Sequence, residues 1–497
     1  MSAEHVRIRL EPLAVEVDVP RGALLVSSLS DHGVEFPCGG TGLCGGCGVR
    51  LLAGWLPVTD ADRKAFPAEQ LASGWRLACQ ARAQEPLVLE CGQWHMDVLT
   101  DNAGLAGAGK HGLGIAIDLG TTTIAAQIVD LASGSVLGVE TELNPQASFG
   151  SDVMNRIRAA LHGDDLTSLV RGALGKIIVR LAKGREQEIA EVVLVGNTVM
   201  HHLFSGRDVE PLSHAPFVSP HLGVQSFEPR ELGWSLPASC TIRFAHCLGG
   251  FVGSDILAGI IATGIAQSDD LIALVDLGTN GEIAIGNRHG IVCASTAAGP
   301  AFEAGSIRMG MRAATGAISY VSLVGGEMTA TVIGDVEPRG ICGSGLVDAV
   351  AAGLRSGAIL ASGRVANGTK LFPVAEPVVL YQADIRELQL AKAAIASGFK
   401  LLLKRRGAEA RDLKSIHLAG AFGNYVQIES AVRIGLVEVP RELVHAAGNT
   451  ALRGAKMLLA AAEEPALPTI EHVSLAADAG FQDEFANCMT FPVHQDS

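Results

Sequence analysis

Aromatic residues make up only 4% of the 497-residue chain, which leaves little material for the stacking platforms that hold nucleic-acid bases. Positive charge is also scarce: 38 Lys and Arg stand against 52 Asp and Glu, a formal charge of −14. An acidic chain with no basic run is a poor binder of nucleic acid or of an anionic membrane, and a protein or neutral ligand suits it better. Long apolar runs are missing as well. The most apolar helical stretch, Ile256 to Ala266, is too short to cross a bilayer and carries Asp255 at its head. The segment His5-Val-Arg-Ile-Arg-Leu10 alternates charged and apolar residues, a strand pattern and not a signal peptide. These absences predict a cytoplasmic protein, in which the ten cysteines are reduced or metal-bound, not paired as structural disulfides.

What is present is a globular balance of 48% hydrophobic and 18% charged residues, in a chain long enough for about three domains. The 59 glycines fall in short clusters, which suggests tight turns and backbone-lined ligand loops. Residues 1–95 read as a small α+β unit: strand patterns near 5–10 and 13–19, a short helix over 23–32, a glycine-rich cysteine loop, and strands at 49–52 and 87–91. Residues 96–112 are rich in Ala and Gly, with a single Lys, and read as a flexible linker. From 113 onward strands and helices alternate around an internal repeat. Ile117-Asp-Leu-Gly-Thr121 recurs as Val275-Asp-Leu-Gly-Thr279, each copy closing one strand and opening another. The repeat predicts a duplicated α/β domain with a cleft between its lobes, 113–270 and 271–497.

The cysteine loop, Pro37-Cys-Gly-Gly-Thr-Gly-Leu-Cys-Gly-Gly-Cys-Gly48, places Cys38, Cys44 and Cys47 in a C-x5-C-x2-C pattern, with Cys79 following. Four thiolates so spaced match the ligand set of a [2Fe–2S] cluster. Six glycines let the backbone wrap the cluster and turn amides toward its sulfurs. A structural zinc site is the other four-thiolate reading, but zinc ribbons normally show two C-x2-C knuckles and this loop has one. Cys91, on a terminal strand, is expected to be a buried free thiol. Over these residues the chain resembles the plant-type and adrenodoxin-like ferredoxins, a β-grasp fold; the five-residue first gap matches the adrenodoxin-like group.

Each Asp-x-Gly-Thr turn offers hydroxyls and amides that can cradle phosphate oxygens, with the Asp placed to orient Mg²⁺ through water. Asp118 does so in the first copy; in the second, Asp276 or Glu282 can polarise an attacking water. A third element, Ile416-His-Leu-Ala-Gly-Ala-Phe-Gly-Asn424, is a strand entering a glycine turn. The three motifs in this order resemble the actin, sugar-kinase and heat-shock-chaperone superfamily, whose ATPase domain has a duplicated ribonuclease H-like fold. The resemblance implies ATP phosphate contacts at Gly120, Thr121, Thr122, Thr123, Gly278, Thr279, Asn280 and Gly281. It also implies adenosine contacts at Gly420, Phe422 and Gly423.

Among the remaining residues, His201 and His202 are adjacent on a helix, which argues against a shared metal role. Cys293 and Cys342 sit in apolar or glycine-rich settings and read as buried packers. Gly343-Ser-Gly345 and Asn197 are expected to serve as hinges between the lobes.

A ferredoxin-type domain joined to such an ATPase resembles the family of reductive activators of corrinoid proteins. The segments Asp276-Leu-Gly-Thr-Asn-Gly-Glu282, Ala298-Gly-Pro-Ala-Phe302, Ile341-Cys-Gly-Ser-Gly345, Leu418-Ala-Gly-Ala-Phe-Gly-Asn424 and Ala447-Gly-Asn-Thr450 carry that resemblance. It implies an ATP-hydrolysing enzyme that passes one electron from a cellular donor to Co(II) of a corrinoid partner, restoring Co(I) for methyl transfer. Ferredoxin clusters lie near about −400 mV, and Co(II) is harder to reduce. Each ~59 mV of mismatch costs tenfold for a one-electron step, so ATP is expected to supply the drive. An activator of another low-potential metalloenzyme and a small-molecule kinase with an attached redox domain are the alternatives. A homodimer is compatible with either reading.

Overall fold

The structure is a computed structural model. It describes all residues except 1–3, 12–14, 31, 33, 35, 37–38, 44–46, 92–103, 105–108, 279, 367, 462–464 and 494–497. Cys38, Cys44, Thr279 and most of the expected linker therefore lie outside the described residues.

The N-terminal unit is a five-stranded mixed sheet. Val15–Pro20 lies at one edge, then His5–Glu11, Leu87–Cys91, Gly48–Ala53 and Trp75–Leu77. The alternation read in the first strand holds: Val6, Ile8 and Leu10 are buried and the intervening residues are exposed. The parallel pairing of His5–Glu11 with Leu87–Cys91 joins the two ends of the unit at its centre, as a β-grasp requires. Two short helices, Asp60–Ala65 and Ala68–Ala72, and the edge strand Trp75–Leu77 were not legible in the sequence. The first of them has a mechanical role. Buried Asp62 forms a capping box with Thr59 and accepts from the Leu77 amide at 2.7 Å, which fixes the chain two residues before Cys79.

The rest of the chain contains two six-stranded sheets that share the order of five strands; the sixth is Gln225–Phe227 beyond Thr241–Phe244 in the first and Ile470–His472 beside Gly290–Thr296 in the second. In the first, Val136–Leu143, Thr123–Asp130 and Leu113–Leu119 run as an antiparallel meander, and Ile189–Val195 and Thr241–Phe244 continue parallel to the last of these. In the second, Gly290–Thr296, Gly281–Asn287 and Leu271–Leu277 form the meander, and Leu413–Ala419 and Val444–Gly448 continue parallel. The repeated Asp-x-Gly-Thr segments are the first hairpins of the two sheets, so the duplication legible in the sequence is a duplication of topology. Pairing of central strands buried on both faces explains their near-continuous apolar composition.

Two helices lie between the sheets. Ser254–Thr263 presents Leu257, Ala258 and Ile261 to the first sheet and Ile256 and Ile260 to the second. Thr450–Ala460, from the far end of the chain, packs Leu452, Ala455 and Leu459 onto the first sheet. The two helices cross at Gly454, where an added Cβ would lie 2.0 Å from the Ala258 carbonyl oxygen. Only glycine allows so close an approach. The outer faces are covered by Val153–Leu161, Leu166–Ala182 and Thr198–Ser205 on the first sheet and by Gly343–Arg355 and Gln382–Arg405 on the second.

The N-terminal unit rests on both halves. Ala314 and Met311 pack into its core, Arg339 pairs with Glu90 at 3.2 Å, and Gly39 lies against the Phe149 carbonyl. Among the described residues no helix is long and apolar enough to cross a membrane.

Candidate functional site

At the N-terminal unit, Cys47 and Cys79 are both buried, at 2% and 1% exposure. Gly39, Gly40 and Gly42 take φ of +64°, +80° and +78°, left-handed geometry that a cysteine loop wrapping a cluster needs. Gln80 donates to the Gly40 carbonyl at 3.0 Å and reaches the Cys79 sulfur at 3.5 Å, tying the loop to its distant fourth cysteine. A buried pair of thiols beside a glycine loop fits a [2Fe–2S] cluster; the other two expected ligands, Cys38 and Cys44, lie outside the described residues. Cys91 is elsewhere: it pairs across the sheet with Val49, fully buried, and burial and then the Glu90 charge push its thiol up to about 12. A thiol held neutral in this way is a packing residue.

The second constellation lies where the two sheets face each other. Asp118 ends the strand Leu113–Leu119, and the turn after it is closed by the Gly120 amide donating to the Thr123 carbonyl at 3.0 Å. The turn is gripped from outside. Asn144 donates to the Gly120 carbonyl at 2.9 Å through its side chain and to the Thr122 carbonyl at 2.8 Å through its backbone. The Asn197 amide donates to the Thr121 hydroxyl at 2.8 Å, and Arg156 donates to the Thr121 carbonyl. In the second half, Asp276 sits directly opposite Glu282 in the hairpin, and Glu282 accepts from Ser295 at 3.3 Å. Gly420 has φ +86°, and a Cβ there would stand 2.6 Å from both Asp276 Oδ1 and the Leu277 carbonyl. The third motif therefore packs directly against Asp276 and Leu277 of the second Asp-x-Gly-Thr segment. Phe422 is buried against Phe302, ring centroids 5.0 Å apart.

Two residues that sequence reasoning passed over complete the site. Asp255, at the head of the crossing helix Ser254–Thr263, faces the same carboxylates. The Asn449 amide donates to Asp118 Oδ2 at 2.9 Å, bringing the second crossing helix into the cleft. The electrostatics are distinctive. Burial raises Asp118 to about 6, opposed by the Asn449 hydrogen bond. Burial and the Asp118 charge raise Asp276 to about 7. Burial and the Asp276 charge raise Asp255 to about 8. Glu282 is raised by burial and by Asp255 and Asp276. Burial, and for three of the four a neighbouring carboxylate's charge, holds these groups above the usual range; among the described residues no group of three or more His, Cys, Asp or Glu is placed to hold a metal ion directly.

Other expectations resolve as packing. Gly343 lies against the Phe302 carbonyl and Gly345 against Ile318, so Gly343-Ser-Gly345 seats a helix within the second half and does not touch the opposite lobe. His201 and His202 do meet, Nδ1 to Nδ1 at 3.4 Å, but each also bonds a backbone carbonyl: His201 that of Gly223, His202 that of Thr198. Cys293 and Cys342 are buried at 0% and 3% exposure.

Residues 8–84 match the family described as the 2Fe-2S iron-sulfur cluster binding domain. Residues 113–268 match the RACo middle region, and 270–497 the C-terminal domain of RACo, the ASKHA domain. The corrinoid activation enzyme RamQ of Eubacterium limosum is 35% identical over 411 residues, which cover 75% of this chain and 69% of that protein. The chain belongs to the RACo family. A Co(II) methylated amine-specific corrinoid protein reductase of Methanosarcina barkeri is 27% identical over 381 residues, 70% of this chain and 69% of that one. A solved structure of a reductive activator for corrinoid, iron-sulfur protein superposes with TM-score 0.67 at 26% identity, covering 98% of each chain. Family membership thus places a ferredoxin-type unit and an actin-like ATPase in one RACo chain, as the three sequence motifs implied.

Proposed function

We propose that this RACo-family chain is an ATP-dependent reductive activator that delivers one electron to Co(II) of a corrinoid protein and restores Co(I) for methyl transfer. One observation carries the reading: a four-carboxylate cleft built from both halves and a crossing helix stands in the same chain as a glycine-rich cysteine loop with two buried thiols, Cys47 and Cys79. The cluster, when bound by Cys38, Cys44, Cys47 and Cys79, supplies a one-electron couple.

The chain's own residues do the rest. Amides and hydroxyls of Gly120, Thr121, Thr122 and Thr123 hold phosphate oxygens from one side, and those of Gly278, Thr279, Asn280 and Gly281 from the other. Gly420 and Gly423 let the nucleoside lie against backbone, with Phe422 anchoring the turn in the core. Asp118, Asp255 and Asp276 would orient, through water, the Mg²⁺ that enters with the nucleotide, and Glu282 or Asp276 the attacking water. Closing the cleft changes the surface offered to the corrinoid protein, so ATP binding and partner binding are linked.

The test is the Co(I) absorption of a corrinoid protein mixed with reduced activator. It is expected only with ATP and Mg²⁺. Asp276→Asn should bind ATP within about tenfold of the parent while hydrolysis and Co(I) formation fall by about a hundredfold or more, the usual scale for losing a catalytic carboxylate. Co(I) formation without nucleotide would overturn the ATP dependence.

A further inference from the structure

We infer that Arg156 is a positioning residue through which occupancy of the first phosphate loop is transmitted to the cysteine loop. The inference rests on the function proposed above and adds a physical link between its two halves.

The guanidinium is fully buried and divided between two backbone segments. One nitrogen donates to the Thr121 carbonyl in the phosphate loop; another donates to the Gly150 carbonyl at 3.1 Å. A third contact reaches Gln146 at 3.4 Å. Asn144, at the start of the same segment, holds the carbonyls on either side, Gly120 and Thr122. Three consecutive carbonyls of the phosphate loop are therefore gripped by residues 144–156.

The other end of that segment meets the N-terminal unit. A Cβ on Gly39 would lie 2.8 Å from the Phe149 carbonyl, so the backbone beside Cys38 is in close contact with the residue that precedes Gly150. Gly40, next in line, is held by Gln80, the neighbour of Cys79. The path from Thr121 to the cysteine loop is thus one side chain and one short turn, buried at Thr121, Arg156 and Gly150 and half-buried where Phe149 meets Gly39.

Arg suits this position because its planar fork satisfies two carbonyls in fixed directions, and a buried fork cannot exchange one of them for water without loss. Lysine keeps the charge but concentrates its donors on one nitrogen, so it cannot hold both carbonyls at this spacing. Asp152 and, from the other half, Glu303 support the charge, while burial pushes it down to about 9.

The experiment uses the full chain with its cluster loaded, comparing the parent with Arg156→Met and Arg156→Lys. Hydrogen exchange at 39–43 and 145–152 and the electron paramagnetic resonance of the reduced cluster are read with and without Mg²⁺ and a non-hydrolysable ATP analogue; calorimetry reports nucleotide binding. In the parent, nucleotide should slow exchange at both segments by about fivefold or more, the lower end of ordinary coupling between sites, and alter the resonance line shape. Both variants should hold two irons and two sulfides and bind nucleotide, yet lose the response at 39–43 and the line-shape change. If Arg156→Met does not fold, Arg156→Lys carries the comparison. A variant that binds nucleotide and keeps the cluster response would overturn the inference, as would a parent that binds nucleotide without any change at 39–43. A parent that binds no nucleotide would overturn the proposed function itself, and calorimetry distinguishes that case.

Discussion

Replacing Gly454 by alanine should destabilise the protein, although the same change in an ordinary helix stabilises it. Alanine is favoured over glycine by about 1 kcal/mol in a helix interior. Here the new Cβ would stand 2.0 Å from the Ala258 carbonyl oxygen, and real Cβ atoms essentially never come closer than 3.0 Å. The two crossing helices must then separate by at least 1.0 Å. Forcing a methyl into a packed contact costs about 1–3 kcal/mol, so the propensity gain is cancelled or exceeded and unfolding midpoints should fall or stay level, never rise by the full kilocalorie. The sharper effect is on the cleft. Helix Thr450–Ala460 begins beside Asn449, whose bond to Asp118 is 2.9 Å long. A rigid shift of 1 Å along that direction takes it beyond hydrogen-bonding range. A bond to a charged group contributes about 1.5–3 kcal/mol, so ATP affinity should fall, by at most the roughly hundredfold that the whole bond represents. Urea unfolding and calorimetry measure the two quantities separately. A Gly454→Ala protein that is about 1 kcal/mol more stable and binds ATP as the parent does would show that the crossing is not constrained as described.

Two further outcomes follow from the same structure. Cys79→Ser should abolish cluster assembly, whereas Cys91→Ser should leave iron and sulfide content unchanged; loss of cluster in the second variant would show that the ligand set is misassigned. Burial, then the neighbouring His202, pushes His201 down from 6.5 to about 4, so the unfolded state takes up a proton between those values and the folded state does not. Stability present above pH 6.5 is therefore lost as pH falls toward 4, by on the order of 3 kcal/mol. His201→Gln should flatten that acid limb in thermal unfolding, and an unchanged slope would contradict the assignment.

Both the duplication and the cysteine loop were legible because each is carried by residues whose spacing is itself the chemistry. A strand followed by Asp-x-Gly-Thr announces a tight turn wherever it occurs, and C-x5-C-x2-C leaves few other uses for its thiols. Asp255 was legible only as the acidic start of an apolar helix, where a carboxylate ordinarily complements the helix dipole. Its approach to Asp118 and Asp276 is created by the fold. Nor does the sequence reveal that Thr450–Ala460 packs on the first sheet, since its apolar stripe of Ala and Leu suits any apolar face. Arg156 is the clearest case. The helix Val153–Leu161 carries both Arg156 and Arg158, nothing in the sequence marks the first as buried, and only the tertiary structure brings two carbonyls to it.

The placement of the four carboxylates gives the cleft its logic. Asp118 belongs to the first sheet, Asp276 and Glu282 to the second, and Asp255 to a helix that packs on both. Repulsion among them therefore acts between the halves as well as within one, and resists their approach while the groups are ionised. A divalent cation carried in with the nucleotide removes that resistance, and the phosphates it accompanies are met by loops from both sides. In the function proposed here, closure thus needs cation and nucleotide together. The segment that braces the first of those loops also supports the backbone beside Cys38, so a movement of the cleft reaches the redox unit by contact and needs no separate relay. That arrangement accounts for an acidic ATPase cleft and a cysteine loop being built against each other in one chain.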